Sequence, residues 1–208
     1  MSNIFNITNV ITSVFYADLD EVQKQKAIGI MRDLENEDQT TFWSEDVIEY
    51  WKEYLDSEYG IQDADICWSG FYSQGDGASI STDYYIDIEK FLRKCKVWSK
   101  FRVLHNIVNR EEVYAKIERI SHTYCHEYTV KGSVELDYNI DWTPKQEEAA
   151  ERLEEYLTET IRGLSRDVYT QLDKENDFQL SDEALWSNIE ANEYCFDVDW
   201  SGEVLSIS

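Results

Sequence analysis

Proline and positive charge are scarce in this chain. One proline, Pro144, occurs in 208 residues, which excludes the proline-rich sequences that remain extended. Only 19 lysines and arginines stand against 43 aspartates and glutamates, leaving a formal net charge of −24. An excess of this size repels nucleic acid and membrane surfaces and attracts the proteins that bind them. We therefore expect a basic protein partner, or a calcium-binding surface, and no direct contact with nucleic acid or membrane.

Long apolar runs and paired cysteines are missing as well. No stretch approaches the roughly 20 apolar residues that span a bilayer, and residues 1–16 show no signal-peptide pattern. The four cysteines lie far apart without a C-x-x-C pair, at Cys67, Cys95, Cys125 and Cys195. Without a secretion signal, this spacing predicts reduced, mostly buried thiols and a cytoplasmic protein.

The rest of the composition is typical of a folded protein. Hydrophobic residues make up 42% of the chain and aromatic residues 14%, enough for a sizeable core. No repeat, low-complexity tract or flexible linker interrupts the sequence, so we expect a single compact domain over residues 1–208. Tyrosine and tryptophan are enriched at binding hot spots, and an acidic, tyrosine-rich surface suits protein recognition.

The clearest helix signal runs from Pro144 to about Lys174. Thr143 is placed to cap the helix, Pro144 suits its first position, and Gln146 completes a capping box. Apolar residues recur at helical spacing and predict a buried stripe of Ala150, Leu153, Leu157, Leu164, Val168 and Leu172. We therefore expect one long helix whose opposite face is acidic.

Other segments predict further helices and a set of hairpins. Helical spacing extends over Asp20–Leu34 and Ile88–Val108, Ser44 is suited to cap a helix ending near Leu55, and Ser181 precedes a last helix. The expected strands are Ala64–Phe71, Ala78–Asp87, Val113–Ile120, Tyr124–Val130, Ser133–Tyr138, Tyr194–Asp199 and Val204–Ile207, with Lys131-Gly132 at one turn. Strands grouped in hairpins favour an α+β fold, with an antiparallel sheet packed against several helices.

The long helix carries a candidate docking face. Its carboxylates recur every three to four residues at Glu147, Glu148, Glu151, Glu154, Glu155 and Glu159, which places them about 5–6 Å apart along the helix. Phosphates along DNA have a comparable spacing, so this face has the charge pattern of a nucleic-acid mimic. The alternative is a solvated face that keeps the protein soluble. Acidic residues of an earlier helix, Glu45, Asp46 and Glu49, extend the candidate partner-binding set.

One basic segment interrupts the negative charge. It contains Arg93, Lys94, Lys96, Lys100, Arg102 and Arg110, with His105 nearby. In the field of a strongly acidic chain we expect these cations to pair with neighbouring carboxylates rather than to hold a phosphate or nucleic acid.

A glycine-rich stretch from Ser69 to Ser79 is a candidate small-ligand pocket. Its glycines permit close backbone approach, and a polar pocket would gather Ser69, Ser73, Gln74 and Asp76, with His126 as a candidate acid–base group. The spacing fits neither a P-loop nor a dinucleotide fingerprint. The alternative is a hairpin turn at Asp76-Gly77.

Two metal patterns are incomplete. His122, Cys125 and His126 lack the further ligand pair of a structural zinc site. Residues 197–203 begin like a calcium loop, but Ser208 stands where the bidentate glutamate belongs. We expect no metal and no cofactor.

Two stretches resemble a known group of sequences. The run Ser-Gly-Phe-x-Ser-Gln-Gly-Asp-Gly-Ala-Ser, Ser69 to Ser79, is similar to one in small uncharacterised proteins of tailed bacteriophages and prophages. Residues 180–196, closing on Gly202, resemble the C-terminal end of those proteins. The resemblance implies a phage accessory protein, and some members of that group are labelled antitoxins. It implies no catalytic residues.

Acidity and this resemblance together predict a counter-defence inhibitor of anti-CRISPR or anti-restriction type. Such an inhibitor is not an enzyme, and it acts in the host cytoplasm by covering the basic surface of a nuclease or another nucleic-acid-handling protein. The alternatives are a small enzyme or ligand-binding protein built on the glycine-rich loop, and an antitoxin that binds a toxin protein.

Overall fold

A computed structural model describes residues 11–37, 42–71, 73–121 and 123–208. Contacts within the chain divide it into two units, one of Met1–Thr41 with Lys174–Ser208 and one of Phe42–Asp173. The sequence predicts one domain over residues 1–208. Nothing in the sequence marks the boundary near residue 173, because it falls inside a continuous helix.

Helices and antiparallel strands confirm the α+β class. The α-helices in the described ranges are α1 (Glu21–Glu37), α2 (Phe42–Tyr54), α3 (Ile88–Lys94), α4 (His105–Val108), α5 (Pro144–Gln179) and α6 (Asp182–Ala191). The strands are β1 (Thr12–Phe15), β2 (Asp65–Ser69), β3 (Gly77–Ser81), β4 (Val113–Arg119), β5 (Val130–Leu136), β6 (Cys195–Val198) and β7 (Val204–Ile207). Short 3-10 helices cover Tyr16–Asp18, Trp98–Leu104 and Glu127–Thr129, and a π-helical turn, Leu55–Tyr59, follows α2. No helix in these ranges is long and apolar enough to cross a membrane.

The unit that contains both chain ends is built on a three-stranded sheet. Its strand order is β1-β6-β7, and both pairings are antiparallel. The predicted terminal hairpin and the helix after Ser181 are confirmed, and the Ser181 hydroxyl accepts the Ala184 N–H at 3.3 Å. Strand β1 was not predicted. The core of this unit includes Phe196 and Met31, both buried.

The unit of residues 42–173 contains two antiparallel hairpins. Strand β2 pairs with β3, and β4 pairs with β5. A single bridge between Thr82 and Ile117 connects the two hairpins. The described strands therefore form three small sheets rather than the one that the sequence suggested.

The long helix α5 confirms the strongest sequence signal. The Thr143 N–H and hydroxyl both donate to Gln146 Oε1, at 3.0 and 2.7 Å. All members of the predicted stripe are buried, and the helix runs five residues past the predicted end. The stripe packs closely against β5, where Gly132 leaves room for the side chain of Leu157. This packing fixes which face of α5 points outward.

Three local predictions were wrong. Ser44 does not cap a helix, because α2 begins at Phe42 and Ser44 lies buried within it. The helix predicted over Ile88–Val108 is broken into α3, a 3-10 segment and α4, with Lys96 in the left-handed region at φ 59°. The middle strand of the predicted meander, Tyr124–Val130, does not form, because Glu127–Thr129 is a 3-10 helix and Val130 begins β5. Lys131-Gly132 lies within β5 instead of at a turn.

We expect the substitution Gly132→Ala to destabilise the protein. An added Cβ would lie 2.7 Å from Leu157 Cγ and 3.0 Å from Leu157 Cβ, and overpacking of this kind costs about 1–3 kcal/mol. The matched control is Gly163→Ala in α5, where the nearest atom to an added Cβ is the Arg166 guanidinium nitrogen at 4.0 Å. That change should stabilise the helix by about 1 kcal/mol. Urea unfolding measures both, and equal effects would contradict the close packing.

Candidate functional site

The acidic face of α5 is exposed along its length. Five of the six predicted glutamates are exposed, namely Glu147, Glu148, Glu151, Glu155 and Glu159. Four of them follow one another at intervals of four residues, a rise of about 6 Å per step and about 18 Å in all. The six glutamates and two cations, Lys145 and Arg152, leave a net charge of −4 on the first half of the helix. We call the five exposed glutamates the acidic face.

The sixth glutamate, Glu154, does not belong to this face. Its carboxylate accepts the Val134 N–H at 3.2 Å and pairs with Lys131 Nζ at 2.9 Å, so it is directed toward β5. The structure therefore does not place Glu154 on the exposed face with the other five glutamates. The physical reason is the rotation of the helix, which places position 154 at the edge of the buried stripe.

Among the five exposed glutamates, Glu159 is the one with an ion pair in the described part of the chain. Arg162 Nη1 lies 2.8 Å from Glu159 Oε1. The other four glutamates make no ion pair with a described residue, and each therefore presents a solvated negative charge. Like charges at these intervals cost a few tenths of a kcal/mol per pair.

Helix α2 carries the second predicted group of carboxylates. Glu45, Asp46 and Glu49 are exposed, and none of them pairs with a cation within residues 42–71, 73–121 or 123–208. The buried apolar residues of the helix, Val47 and Trp51, face the core of the same unit. Both acidic groups thus lie on the unit of residues 42–173.

The basic segment is half neutralised. Arg93 pairs with Glu89 at 2.6 Å, Arg110 with Glu112 at 3.8 Å, and Lys94 with Glu58. The remaining cations, Lys96, Lys100 and Arg102, are exposed and form no ion pair with any described residue. Internal pairing is therefore confirmed for three of the six cations.

The glycine-rich stretch folds as the turn of the β2–β3 hairpin. The Asp76 carboxylate accepts the Ser73 N–H at 2.6 Å, and a Cβ on Gly70 would lie 2.9 Å from the same carboxylate. Tyr169 donates its hydroxyl to the Gly70 carbonyl at 2.9 Å. Burial, and then the carboxylates of Asp76 and Asp173, raise the pKa of Tyr169, which keeps this donor protonated. Gly70 thus serves close packing within the loop.

The structure brings several of the predicted pocket residues near one another. Ser69 pairs with Gly77 in the hairpin, and a Cβ on Gly77 would lie 2.7 Å from His126 Cβ. His126 Nδ1 accepts the Tyr128 N–H at 3.1 Å. Ser73 and Gln74 are exposed.

A groove of about 470 Å³ lies elsewhere, beside α3, and its lining includes Tyr85 and Tyr114.

A disulfide joins Cys67 of β2 to Cys125, with Cα atoms 5.8 Å apart. The prediction of four reduced, mostly buried thiols is therefore wrong, since all four cysteines are half-buried and two of them are bonded. Strand β3 brings the two cysteines together. It pairs with β2, which carries Cys67, and its first residue, Gly77, lies close to the Cys125 carbonyl. Burial raises the pKa of the free thiol Cys95.

Among the described residues, neither of the two incomplete metal patterns gathers ligands. Cys125 is bonded to Cys67, and His122 lies outside the described residues. The Asp199 carboxylate accepts the N–H groups of Ser201 and Glu203, both at 2.9 Å, and so caps the terminal hairpin. In the described ranges, no three His, Cys, Asp or Glu side chains are placed to hold a metal ion.

The structure reveals exposed aromatic residues that the sequence analysis did not select. Tyr124 and Tyr128 are 54% and 62% exposed and flank His126. The Arg162 guanidinium lies 5.5 Å from the centre of the Tyr128 ring. The sequence signal for these residues is the alternation of aromatic rings at positions 124, 126 and 128, a pattern that also predicts a strand.

We expect two free thiols in the denatured, unreduced protein and four after reduction. Thiol titration with and without reductant measures this directly. Closing a loop between positions 58 residues apart contributes about 4 kcal/mol in the chain-entropy model, so reduction should also lower the urea midpoint. Cys95→Ser serves as the control, because this thiol is unbonded and its loss should leave the effect of reductant unchanged. Four thiols before reduction would contradict the disulfide.

Comparison with known proteins gives a family match. No curated protein and no solved structure matches the chain. Residues 43–182 match a family described as a domain of unknown function, DUF8835. The match includes the acidic face, nearly all of α2, the glycine-rich loop and both bonded cysteines. The chain therefore belongs to the DUF8835 family.

Proposed function

We propose that this protein is a phage-encoded counter-defence inhibitor that docks on a basic host protein through the acidic face of α5. The observation that carries the proposal is the row of exposed glutamates at four-residue intervals, three of them without an ion pair in the described ranges. The partner is a nuclease or another CRISPR or restriction component. The host cytoplasm is the proposed site of action because such a partner works there, and not because of the cysteines, two of which are bonded.

The charge of the whole chain supports this mechanism. A net charge of −24 steers a positively charged partner and raises the association rate, and salt screens the effect. Each exposed ion pair in such a complex is worth little alone, about 0.2–1 kcal/mol. Several pairs along a row of about 18 Å are needed to compete with a nucleic acid for the same groove.

The position of the row supports it further. The buried stripe of α5 fixes the helix against β5, so the carboxylates are presented on a rigid element rather than on a loop. A rigid helix loses little conformational freedom on binding. The exposed carboxylates of α2 add a second negative area on the same unit.

Neutralising three glutamates of the row should remove the activity. We expect the chain to raise the number of plaques on cells that carry a restriction or CRISPR system, and the variant Glu147→Gln/Glu151→Gln/Glu155→Gln to lose most of this protection. The matched control, Glu183→Gln/Glu190→Gln/Glu193→Gln, makes the same change in net charge at exposed positions of the other unit. It should retain activity. Equal losses in both variants would show that net charge alone matters.

Salt dependence gives a second measurement on the same proposal. With the purified host protein, the association rate should fall steeply between low and physiological ionic strength, because screening acts on the steering field. Loss of three exposed pairs should weaken the equilibrium affinity by about tenfold. An affinity that does not change with salt would contradict the electrostatic mechanism.

A further inference from the structure

Two exposed tyrosines lie next to the end of the acidic face. The centre of the Tyr124 ring is 6.3 Å from that of His126, and the Tyr128 ring centre is 6.0 Å from the same histidine ring. More than half of each tyrosine is exposed. Exposed aromatic clusters of this kind are typical of binding hot spots. We call Tyr124, His126 and Tyr128 the aromatic patch.

The backbone under the patch is held by several independent contacts. The Cys67–Cys125 disulfide anchors its centre, and Arg119 Nε donates to the Ser121 carbonyl at 3.2 Å. Thr129 Oγ1 donates to the His126 carbonyl at 2.7 Å. The Tyr124 ring packs over Gly75, where an added Cβ would lie 3.2 Å from it. Rings that are ordered before binding lose little entropy in a complex.

An arginine of the chain itself already occupies part of this patch. Arg162 places its guanidinium 5.5 Å from the centre of the Tyr128 ring while its Nη1 lies 2.8 Å from Glu159. The ring and the last glutamate of the acidic face thus hold one guanidinium together. Tyr128 nevertheless remains 62% exposed, so the patch has further aromatic surface to offer.

Arginine and lysine differ on such a surface. The planar guanidinium stacks on aromatic rings and pairs with carboxylates through two parallel hydrogen bonds, whereas the ammonium of lysine is a strongly hydrated point charge. A surface that combines tyrosine rings with neighbouring carboxylates therefore favours arginine.

From these contacts we propose that the aromatic patch selects an arginine-rich surface on the basic partner. This inference rests on the proposed function, in which the acidic face attracts that partner. The aromatic patch makes the interaction favour arginine over lysine, and the acidic face attracts the partner over a long range. We expect the aromatic patch to bind an arginine-bearing protein surface for two reasons. The carboxylates of the adjoining acidic face complement the positive charge of arginine, and Arg162 already places its guanidinium over the Tyr128 ring.

The test uses two synthetic probes, fluorescently labelled nona-arginine and nona-lysine peptides, in anisotropy titrations with the full chain. The wild-type protein should bind nona-arginine more tightly. The variant Tyr124→Ala/Tyr128→Ala should reduce the ratio of the two affinities by about two- to fivefold per ring. Tyr124→Phe/Tyr128→Phe keeps the rings and should keep the ratio. The matched control is Tyr138→Ala, a tyrosine that is 92% exposed and outside the patch, which should leave the ratio unchanged.

The outcomes separate this inference from the proposed function. An unchanged ratio in the double alanine variant overturns the arginine preference and leaves the acidic face intact. Glu147→Gln/Glu151→Gln/Glu155→Gln should weaken both peptides and preserve the ratio. If that variant binds both peptides as the wild type does, the acidic face fails as a docking site. Thermal unfolding of each variant distinguishes loss of the patch from loss of the fold. If Tyr124→Phe/Tyr128→Phe loses the preference for nona-arginine over nona-lysine, the aromatic mechanism is also contradicted.

Discussion

The packing of the α5 stripe against the β4–β5 hairpin determines what this protein can present to other molecules. Leu157, fully buried, sits against Gly132, and Thr158 Oγ1 accepts the Gly132 N–H at 3.0 Å. Because these contacts fix the rotation of the helix, they determine which glutamates are exposed to solvent and which one is directed toward β5. Glu154, one position past the stripe residue Leu153, is drawn to Lys131, while Glu151 and Glu155 remain outside.

Charge and aromatic surface meet at one end of this helix face. The acidic face ends at Glu159, and the same carboxylate holds Arg162, which in turn covers part of Tyr128. Arg166 pairs with Glu127 at 3.7 Å on the next turn of the helix. The second half of α5 is therefore tied to the segment that follows β4, whereas the first half carries carboxylates without such ties.

Local signals in the sequence predicted the parts of the fold that depend on local chemistry. Thr143 and Gln146 define the start of α5 through their own side chains, and Ser181 does the same for α6. The break at Lys96 had no such signal, since neither glycine nor proline occurs there although Lys96 adopts a left-handed φ of 59°. Glycine often marks a turn, and Lys131-Gly132 therefore predicts one, yet this glycine is needed for the approach of Leu157.

The candidate site divides in the same way. Helical periodicity correctly placed five glutamates on one exposed face, but the inward direction of Glu154 depends on a partner strand distant in sequence. The alternative interpretation of the glycine-rich loop, a hairpin turn at Asp76-Gly77, agrees with the use of the Asp76 carboxylate inside the turn. The bonding of Cys67 to Cys125, 58 positions apart, follows from sheet pairing and not from spacing.

That bond has a practical consequence for anyone who handles the protein. Reducing agents are routine in the purification of proteins made in bacteria, and they would cut the covalent link beneath Tyr124 and His126. Material prepared with and without them would then differ in the very surface under study. The oxidation state of the sample belongs with the buffer and the temperature in any record of its behaviour.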